Sequence, residues 1–108
     1  MPAVQTIAAL AADLAAGRTT SLELTEAAFD RIADPAGEGA RAFILADVAV
    51  NRAAALAQAE ASDRLRAAGL VPSPLAGLPI SVKDLFDIAG QVTTAGSTVL
   101  KDAAPAAA

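Results

Sequence analysis

The spacing of apolar side chains predicts helices over the first two thirds of the chain. Near the start, large aliphatic residues recur every three or four positions, at Val4, Ile7, Leu10 and Leu14. This interval places them on one face of a helix. Gly17 follows at the position where a left-handed residue commonly ends a helix. The first segment is therefore predicted to be an amphipathic helix.

A second helix is predicted to begin after Thr20. The residues Thr20-Ser21-Leu22-Glu23 have the form of a capping box, in which the Thr20 hydroxyl and the Glu23 carboxylate satisfy free amides reciprocally. The apolar face of this helix holds Leu24, Ala28 and Ile32. Asp34-Pro35 should end it, and glycines 37 and 39 should form a flexible turn.

A third, longer helix is predicted for the alanine-rich stretch. Residues 42–46 are too few to assign by period, and a brief strand or a lead-in to a helix would fit them equally. Asp47 can cap a helix that runs to about Ala68, with Gly69 closing it. Residues 1–69 are thus expected to be mostly helical.

The pattern changes at Leu70, where four prolines and glycines fall within eight residues and exclude helix. Residues 78–84 then alternate with period two, with Leu78, Ile80 and Val82 on one face. Pro79 restricts this strand, since proline fits only at its start or on a sheet edge. Residues 70–108 are expected to begin a core that contains a sheet.

Composition narrows the functional classes. Alanine accounts for 31 of the 108 residues and phenylalanine for three, so this chain can bury little apolar area by itself. The net charge of −4 and the scattered basic residues argue against nucleic-acid binding. No apolar run approaches the roughly 20 residues of a membrane span. The first 16 residues lack the basic leader of a secretory signal, so we expect a cytoplasmic protein.

Histidine and cysteine are both absent from the sequence. This excludes a Ser-His-Asp arrangement, a cysteine nucleophile and a thiolate metal site within the chain. The strand at 78–84 carries Lys83 two residues after Ser81, on the same face. A lysine is a competent general base when burial holds its amine neutral. The alternative is an ordinary surface lysine at a strand end, paired with Asp84 or Asp87.

The segment 74–97 resembles the opening motif of the amidase signature family. In that family a G-[IL]-P-[IF]-x-V-K-D strand precedes a D-x-x-G-x-x-T-T-x-G-S loop. Here residues 77–84 read GLPISVKD, and residues 87–97 read DIAGQVTTAGS. The leading helices also lie where the family has them. The resemblance covers essentially the whole chain but only the first part of a domain of several hundred residues.

The resemblance implies a Ser-cisSer-Lys triad in which Lys83 is the catalytic lysine. In the family, the lysine accepts a proton through the cis-serine from the nucleophilic serine, which attacks an amide carbonyl to give an acyl-enzyme. The glycine-rich segment with both serines lies downstream in the family and does not occur here. No nucleophile is therefore assigned in this chain, and the oxyanion hole is expected outside it.

Other motif positions are expected near Lys83 or in the lining of its cavity, namely Ser81, Asp84, Thr93, Thr94, Gly96 and Ser97. Asp84 is expected to accept a hydrogen bond near the site, and Asp87 to cap a turn. The two carboxylates lack a nearby third ligand, so no metal is expected. The threonines and Ser97 either line the cavity or form a turn around Gly96.

The expected fold class is α/β: residues 1–108 form the N-terminal fragment of one amidase domain, with leading helices and the first strand of a mixed sheet. The expected function is an amidase-type hydrolase that cleaves carboxamide C–N bonds, with a small amide as substrate and no cofactor. One alternative is the A subunit of a tRNA-dependent amidotransferase, with a protein partner and tRNA. Another is a non-catalytic helical interaction module. A homodimer of the full enzyme is a further alternative for its oligomeric state.

Overall fold

The computed structural model describes residues 5–83, 88–89, 91 and 105, and within them the chain is helical. Four helices follow in order: α1 (Ile7–Ala15), α2 (Ser21–Ala33), α3 (Gly39–Ala42) and α4 (Leu45–Ala67). The three helices predicted from apolar spacing and caps are therefore confirmed. None of the helices in these ranges is long and apolar enough to cross a bilayer.

Two helices end at glycines that the sequence marked as caps. At the end of α4, the Gly69 N–H donates to the Arg66 carbonyl at 3.0 Å, and the Leu70 N–H donates to the Leu65 carbonyl at 2.8 Å. These two bonds form a Schellman motif, which requires a left-handed residue in the turn. Gly69 has a φ of +81°, and Gly17 closes α1 with a φ of +75°.

Threonine side chains cap the first two helices. The Thr6 Oγ1 accepts from the Ala9 N–H at 3.1 Å, and the Thr20 Oγ1 accepts from the Glu23 N–H at the same distance. The second half of the expected capping box differs, because the Glu23 carboxylate accepts from the Thr19 hydroxyl at 3.3 Å. α2 therefore begins where the sequence predicted, with one of its two predicted side-chain contacts.

The entry into α4 differs from the prediction. Asp47 lies in the first turn of the helix and is not its N-cap, which is Ile44 without a side-chain hydrogen bond. Residues 43–44 are extended and lead directly into α4, which begins at Leu45. Of the two alternatives for residues 42–46, the lead-in to a helix is therefore confirmed. The predicted flexible glycine turn instead contains α3, where Gly39 is buried so closely against α2 that a Cβ would overlap the Ile32 carbonyl.

Small side chains form the centre of the packing between α2 and α4. Of the described residues, Leu14 and Ala59 are the buried apolar ones, with 1% and 4% of their surface exposed. Ser21 and Thr25, both on α2, are buried beside them. The apolar face predicted for α2 is only half-buried, and Ile7 of α1 is 64% exposed. The two helices thus approach through small and polar residues, which permits close packing but removes little apolar area from water.

The predicted strand at residues 78–84 is not formed in the described part of the chain. Residues 78–83 have no regular secondary structure, and of the described residues only Ala89 lies in an isolated β-bridge. A strand is defined by ladder hydrogen bonds to a neighbour, and Pro79 has no N–H to donate. The described residues are therefore helical, and the α/β expectation is not met within them.

The chain is expanded for its size. Its radius of gyration is 15.5 Å, whereas a typical domain of this length has about 13 Å. Its accessible surface is 7653 Å², whereas a folded monomer of this mass exposes about 5,500 Å². Large apolar side chains such as Val50 and Ile80 are among those exposed. A substantial apolar surface is therefore available for further packing.

Candidate functional site

A cavity of about 810 Å³ lies between α2, α4 and the segment 79–83. α2 contributes Phe29 and Ile32 to its wall, and α4 contributes Val48. The segment 79–83 brings Ser81 and Lys83 to the same cavity. These two polar side chains thus line one cavity, together with a mainly apolar helical wall, and their roles stay predictions.

Lys83 is exposed, as is Ser81. The low-dielectric surroundings that would hold a lysine amine neutral are therefore not provided by the described residues. An exposed amine in a cavity wall is nevertheless open to contact by other groups. The predicted pairing of Lys83 with Asp84 or Asp87 stays a prediction, because both carboxylates lie outside the described residues.

The remaining predicted site residues all lie outside the described part of the chain: Asp84, Asp87, Thr93, Thr94, Gly96 and Ser97. Their expected roles beside Lys83 stay predictions. Within the described residues, no group of three or more carboxylate, histidine or cysteine side chains is close enough together to hold a metal ion.

The N-terminus of α2 is held by a carboxylate from α4. Asp63 accepts from the Ser21 N–H with Oδ1 at 2.7 Å and from the Leu22 N–H with Oδ2 at 3.0 Å. With Thr20 bound to the third N–H of the helix, the first three free donors of α2 are all satisfied. The negative carboxylate also lies at the positive end of the helix dipole. Asp63 therefore fixes the crossing of α2 over α4.

A second set of hydrogen bonds ties this crossing to the segment that carries Lys83. The buried Ser21 hydroxyl donates to the Gly77 carbonyl at 2.6 Å, and Arg66 Nη2 donates to the Ala76 carbonyl at 3.1 Å. Gly77 begins the GLPISVKD motif, six residues before Lys83. The chain is therefore held between α2 and α4 immediately before it enters the cavity wall.

Glycine is required at position 77 for two reasons. Its φ is +90°, a conformation that residues with a Cβ rarely adopt. A Cβ there would also lie 3.2 Å from the Ser62 Oγ and 3.4 Å from the Ser21 Cβ. The motif glycine thus allows the backbone to approach the α2–α4 crossing closely enough to receive the Ser21 hydrogen bond.

A reciprocal amide pair holds the chain on the other side of Lys83. Gln91 Nε2 donates to Asn51 Oδ1 at 2.7 Å, and Asn51 Nδ2 donates to Gln91 Oε1 at 3.3 Å. Asn51 lies on α4, and both side chains line the cavity. The Gln91 N–H also donates to the Ile88 carbonyl at 2.9 Å. Gln91 is therefore attached to α4 through Asn51 within the cavity wall.

An aromatic contact adds to the packing of α2 on α4. The Arg52 guanidinium lies 5.2 Å from the centre of the Phe29 ring, within the range of a cation–π interaction. Phe29 itself lines the cavity. Its ring is therefore held from the α4 side as part of the wall that faces Lys83.

Sequence reasoning missed the polar contacts that hold this site together. The sequence gives Asp63 and Arg66 no distinguishing signal within the long helix, yet both are half-buried and bonded to backbone groups distant in sequence. The sequence around Asn51 and Gln91 gave no local indication that their side chains form hydrogen bonds with each other. The glycine at the start of the GLPISVKD motif was the available sign that another part of the backbone comes close at position 77.

A family model described as Amidase matches residues 23–107. This range includes α2 from Glu23 onward, the whole of α4, and the segment from Gly77 to Ser97 that carries the motif. The match covers well over half of the chain.

Several curated bacterial proteins resemble the chain over most of its length, and each is named as the A subunit of a glutamyl-tRNA(Gln) amidotransferase. The protein from Renibacterium salmoninarum is 47% identical over 94 residues, which are 87% of this chain and 17% of that protein. Those from Streptomyces avermitilis and Myxococcus xanthus are 43% and 44% identical, over 89% and 93% of this chain. The chain spans about a fifth of the length of these relatives.

A solved structure shares the fold of the chain. It comes from work described as an unexpected vestigial protein complex that reveals the evolutionary origins of an s-triazine catabolic enzyme. The two chains superpose with a TM-score of 0.76 and are 36% identical, over 96% of this chain and 22% of the other. The arrangement of helices and the following segment is therefore shared with about a fifth of that longer chain.

Proposed function

We propose, because this chain belongs to the amidase signature family, that it forms the N-terminal part of an enzyme that breaks a carboxamide C–N bond. We further propose that the enzyme is an A subunit of the glutamyl-tRNA(Gln) amidotransferase type. The observation that carries this assignment is the identity of 43–47% to proteins of that name over 87–93% of the chain. These relatives favour the amidotransferase over a simple hydrolase.

Lys83 is the proton acceptor in the proposed reaction. Its amine takes the proton that the nucleophilic serine releases through the cis-serine, while the serine oxygen bonds to the amide carbonyl carbon. The C–N bond then breaks, and the nitrogen leaves with the returned proton. Both serines come from sequence outside this chain. The place of Lys83 at the cavity, with its side chain exposed, supports this role because other segments can reach the amine.

Packing of the rest of the enzyme against this cavity would supply the low-dielectric environment around Lys83 that the described residues do not. A lysine amine loses its proton more readily when it is removed from water. In the proposed enzyme, the downstream core covers Lys83 and Ser81 and excludes solvent from them. The apolar wall opposite, which includes Phe29 and Val48, supports this because it already presents a non-polar surface to the cavity.

The α/β architecture is part of the same proposal. In the full domain, residues 78–83 pair with other strands and become part of a mixed sheet. The alternation of Ile80 and Val82 with polar residues supports this, since it has the period of a strand. Ile80 is 85% exposed and Val82 is 51% exposed, so their side chains remain available for packing.

A hydrolase that acts on a small amide is the second candidate. It is favoured by the 36% identity to the chain whose structure concerns an s-triazine catabolic enzyme, together with the TM-score of 0.76. This candidate has the same proposed role for Lys83. In both candidates water removes the acyl group from the serine. The hydrolase differs in releasing the ammonia free instead of passing it to glutamyl-tRNA(Gln), and it therefore needs no tRNA.

The test uses the intact enzyme that carries this segment. Formation of glutaminyl-tRNA(Gln) from glutamyl-tRNA(Gln), a carboxamide nitrogen donor and a nucleoside triphosphate, which activates the glutamyl carboxylate, would support the amidotransferase. Ammonia release from small amides, with no product on tRNA, would support the hydrolase instead. In either case Lys83→Ala should abolish turnover, whereas Arg64→Ala, which removes a positive charge from an exposed position on α4, should not. Full activity of the Lys83→Ala enzyme would overturn the proposal.

A further inference from the structure

We propose that two polar anchors on the helical pair, the Ser21–Gly77 hydrogen bond and the Asn51–Gln91 amide pair, position Lys83 for catalysis. This inference rests on the proposed function of Lys83. None of these four residues is expected to touch the substrate. Their role is to set where the segment between them lies across the cavity, and so where the lysine amine is presented.

The anchors lie on both sides of Lys83 in sequence. Gly77 precedes it by six residues, and Gln91 follows it by eight. On the helical side, the first anchor lies at the crossing held by Asp63, twelve residues along α4 from Asn51. Twelve residues of helix span about 18 Å. Gly77 and Gln91 are therefore attached at two well-separated points of the α2–α4 pair.

Packing does little to fix residues 79–83, the described part of the chain that carries Lys83. Residues 79–83 are all exposed and have no strand pairing among the described residues. By contrast, Ser21 at the first anchor is 3% exposed, and both members of the amide pair are half-buried. Backbone position in this stretch therefore depends on its attached ends, and a displacement of either end would move Lys83.

The amide pair is suited to hold a loop near a catalytic lysine. Each amide both donates and accepts, so the two side chains satisfy one another through two hydrogen bonds at 2.7 and 3.3 Å. The pair is neutral, so it fixes the loop without adding a carboxylate that would favour the charged form of a nearby amine. A change of one partner removes both bonds at once.

The test measures kcat and KM of the intact enzyme with Asn51→Ala, Gln91→Ala and the double variant. We expect each single variant to lower kcat at least tenfold with KM changed less than threefold, and the double variant to be no worse than either single. Exchange of the two residues, Asn51→Gln with Gln91→Asn, keeps the combined length of the pair and should restore kcat to within threefold. Gln58→Ala, at an exposed position of α4, is the control and should leave kcat unchanged.

Ser21→Ala tests the first anchor, and thermal unfolding separates positioning from a purely structural role. We expect Ser21→Ala to lower kcat at least fivefold under conditions where the enzyme remains folded. Unchanged kcat in the Asn51 and Gln91 variants, while Lys83→Ala is inactive, would overturn the positioning inference and leave the proposed function intact. Loss of kcat that the exchanged pair fails to restore would also count against it. Activity of Lys83→Ala would instead refute the proposed function.

Discussion

Removal of the Asp63 carboxylate should loosen the start of α2. Asp63→Ala leaves the Ser21 and Leu22 N–H groups without the partners that lie at 2.7 and 3.0 Å. A hydrogen bond to a charged group contributes about 1.5–3 kcal/mol, and loss of a helix N-cap costs about 0.5–2 kcal/mol. Because Asp63 is half-buried and water can replace part of each bond, we expect a total loss of about 2 kcal/mol.

Amide hydrogen exchange measures this loss of stability at the Ser21 and Leu22 N–H groups. A change of about 2 kcal/mol corresponds to about thirtyfold faster exchange at Ser21 and Leu22, if exchange proceeds through local opening. Asp63→Asn keeps one acceptor oxygen and should lose about half as much, or about fivefold in rate. The amides in the middle of α4 should exchange at nearly the same rate in all variants.

Glu60→Ala is the matched control, because it removes an exposed carboxylate from the same helix one turn earlier. Its effect on exchange at Ser21 and Leu22 should be small. Equal exchange rates at these two amides in the Asp63→Ala and Glu60→Ala variants would refute the conclusion that Asp63 caps α2.

Three further predictions concern the backbone and the isolated chain. Gly77→Ala should destabilise the fold by about 2 kcal/mol in urea unfolding, because the strained φ and the close contact of the new Cβ act together. Gly69→Ala, which has open space around the new Cβ, should cost about 1 kcal/mol. Equal losses in the two variants would contradict the close approach at Gly77. The 108-residue chain alone should hydrolyse no aryl amide, and turnover that disappears with Lys83→Ala would show that the catalytic groups are misassigned. The same chain should unfold broadly and associate, given its exposed apolar surface; a sharp transition of a monomer, measured by calorimetry and sedimentation, would contradict this.

The helix ends could be predicted from the sequence because their causes are local. Gly17 and Gly69 close helices through a backbone conformation that glycine adopts readily, and Thr20 caps α2 with its own hydroxyl. Each of these contacts spans only a few residues. Their signals are therefore complete within a short stretch of sequence.

The contacts that hold the site depend on residues far apart in the chain. Asp63 bonds to backbone groups 41 and 42 residues earlier, and Asn51 bonds to a side chain 40 residues later. An aspartate in an amphipathic helix has the same local pattern whether it faces water or a neighbouring helix. Sequence periodicity therefore gives no indication of the role of Asp63.

The strand predicted at 78–84 is not confirmed by the described residues 78–83, for a related reason. The alternation of Ile80 and Val82 with polar side chains describes a chain that can form a strand. Formation of the strand also requires a neighbour with free backbone groups, and the described residues of this chain supply none. A local pattern can indicate the capacity to pair but not the presence of a partner.

The most direct test of the role of Lys83 is the rate of amide cleavage by the intact enzyme with Lys83→Arg. Arginine keeps the positive charge and similar length but does not lose its proton in proteins. If Lys83 is the proton acceptor, kcat should fall by about 10²–10⁴-fold, the usual contribution of general base catalysis, while the thermal unfolding midpoint stays unchanged. A folded Lys83→Arg enzyme with kcat within threefold of the original would contradict the assignment of Lys83 as the base.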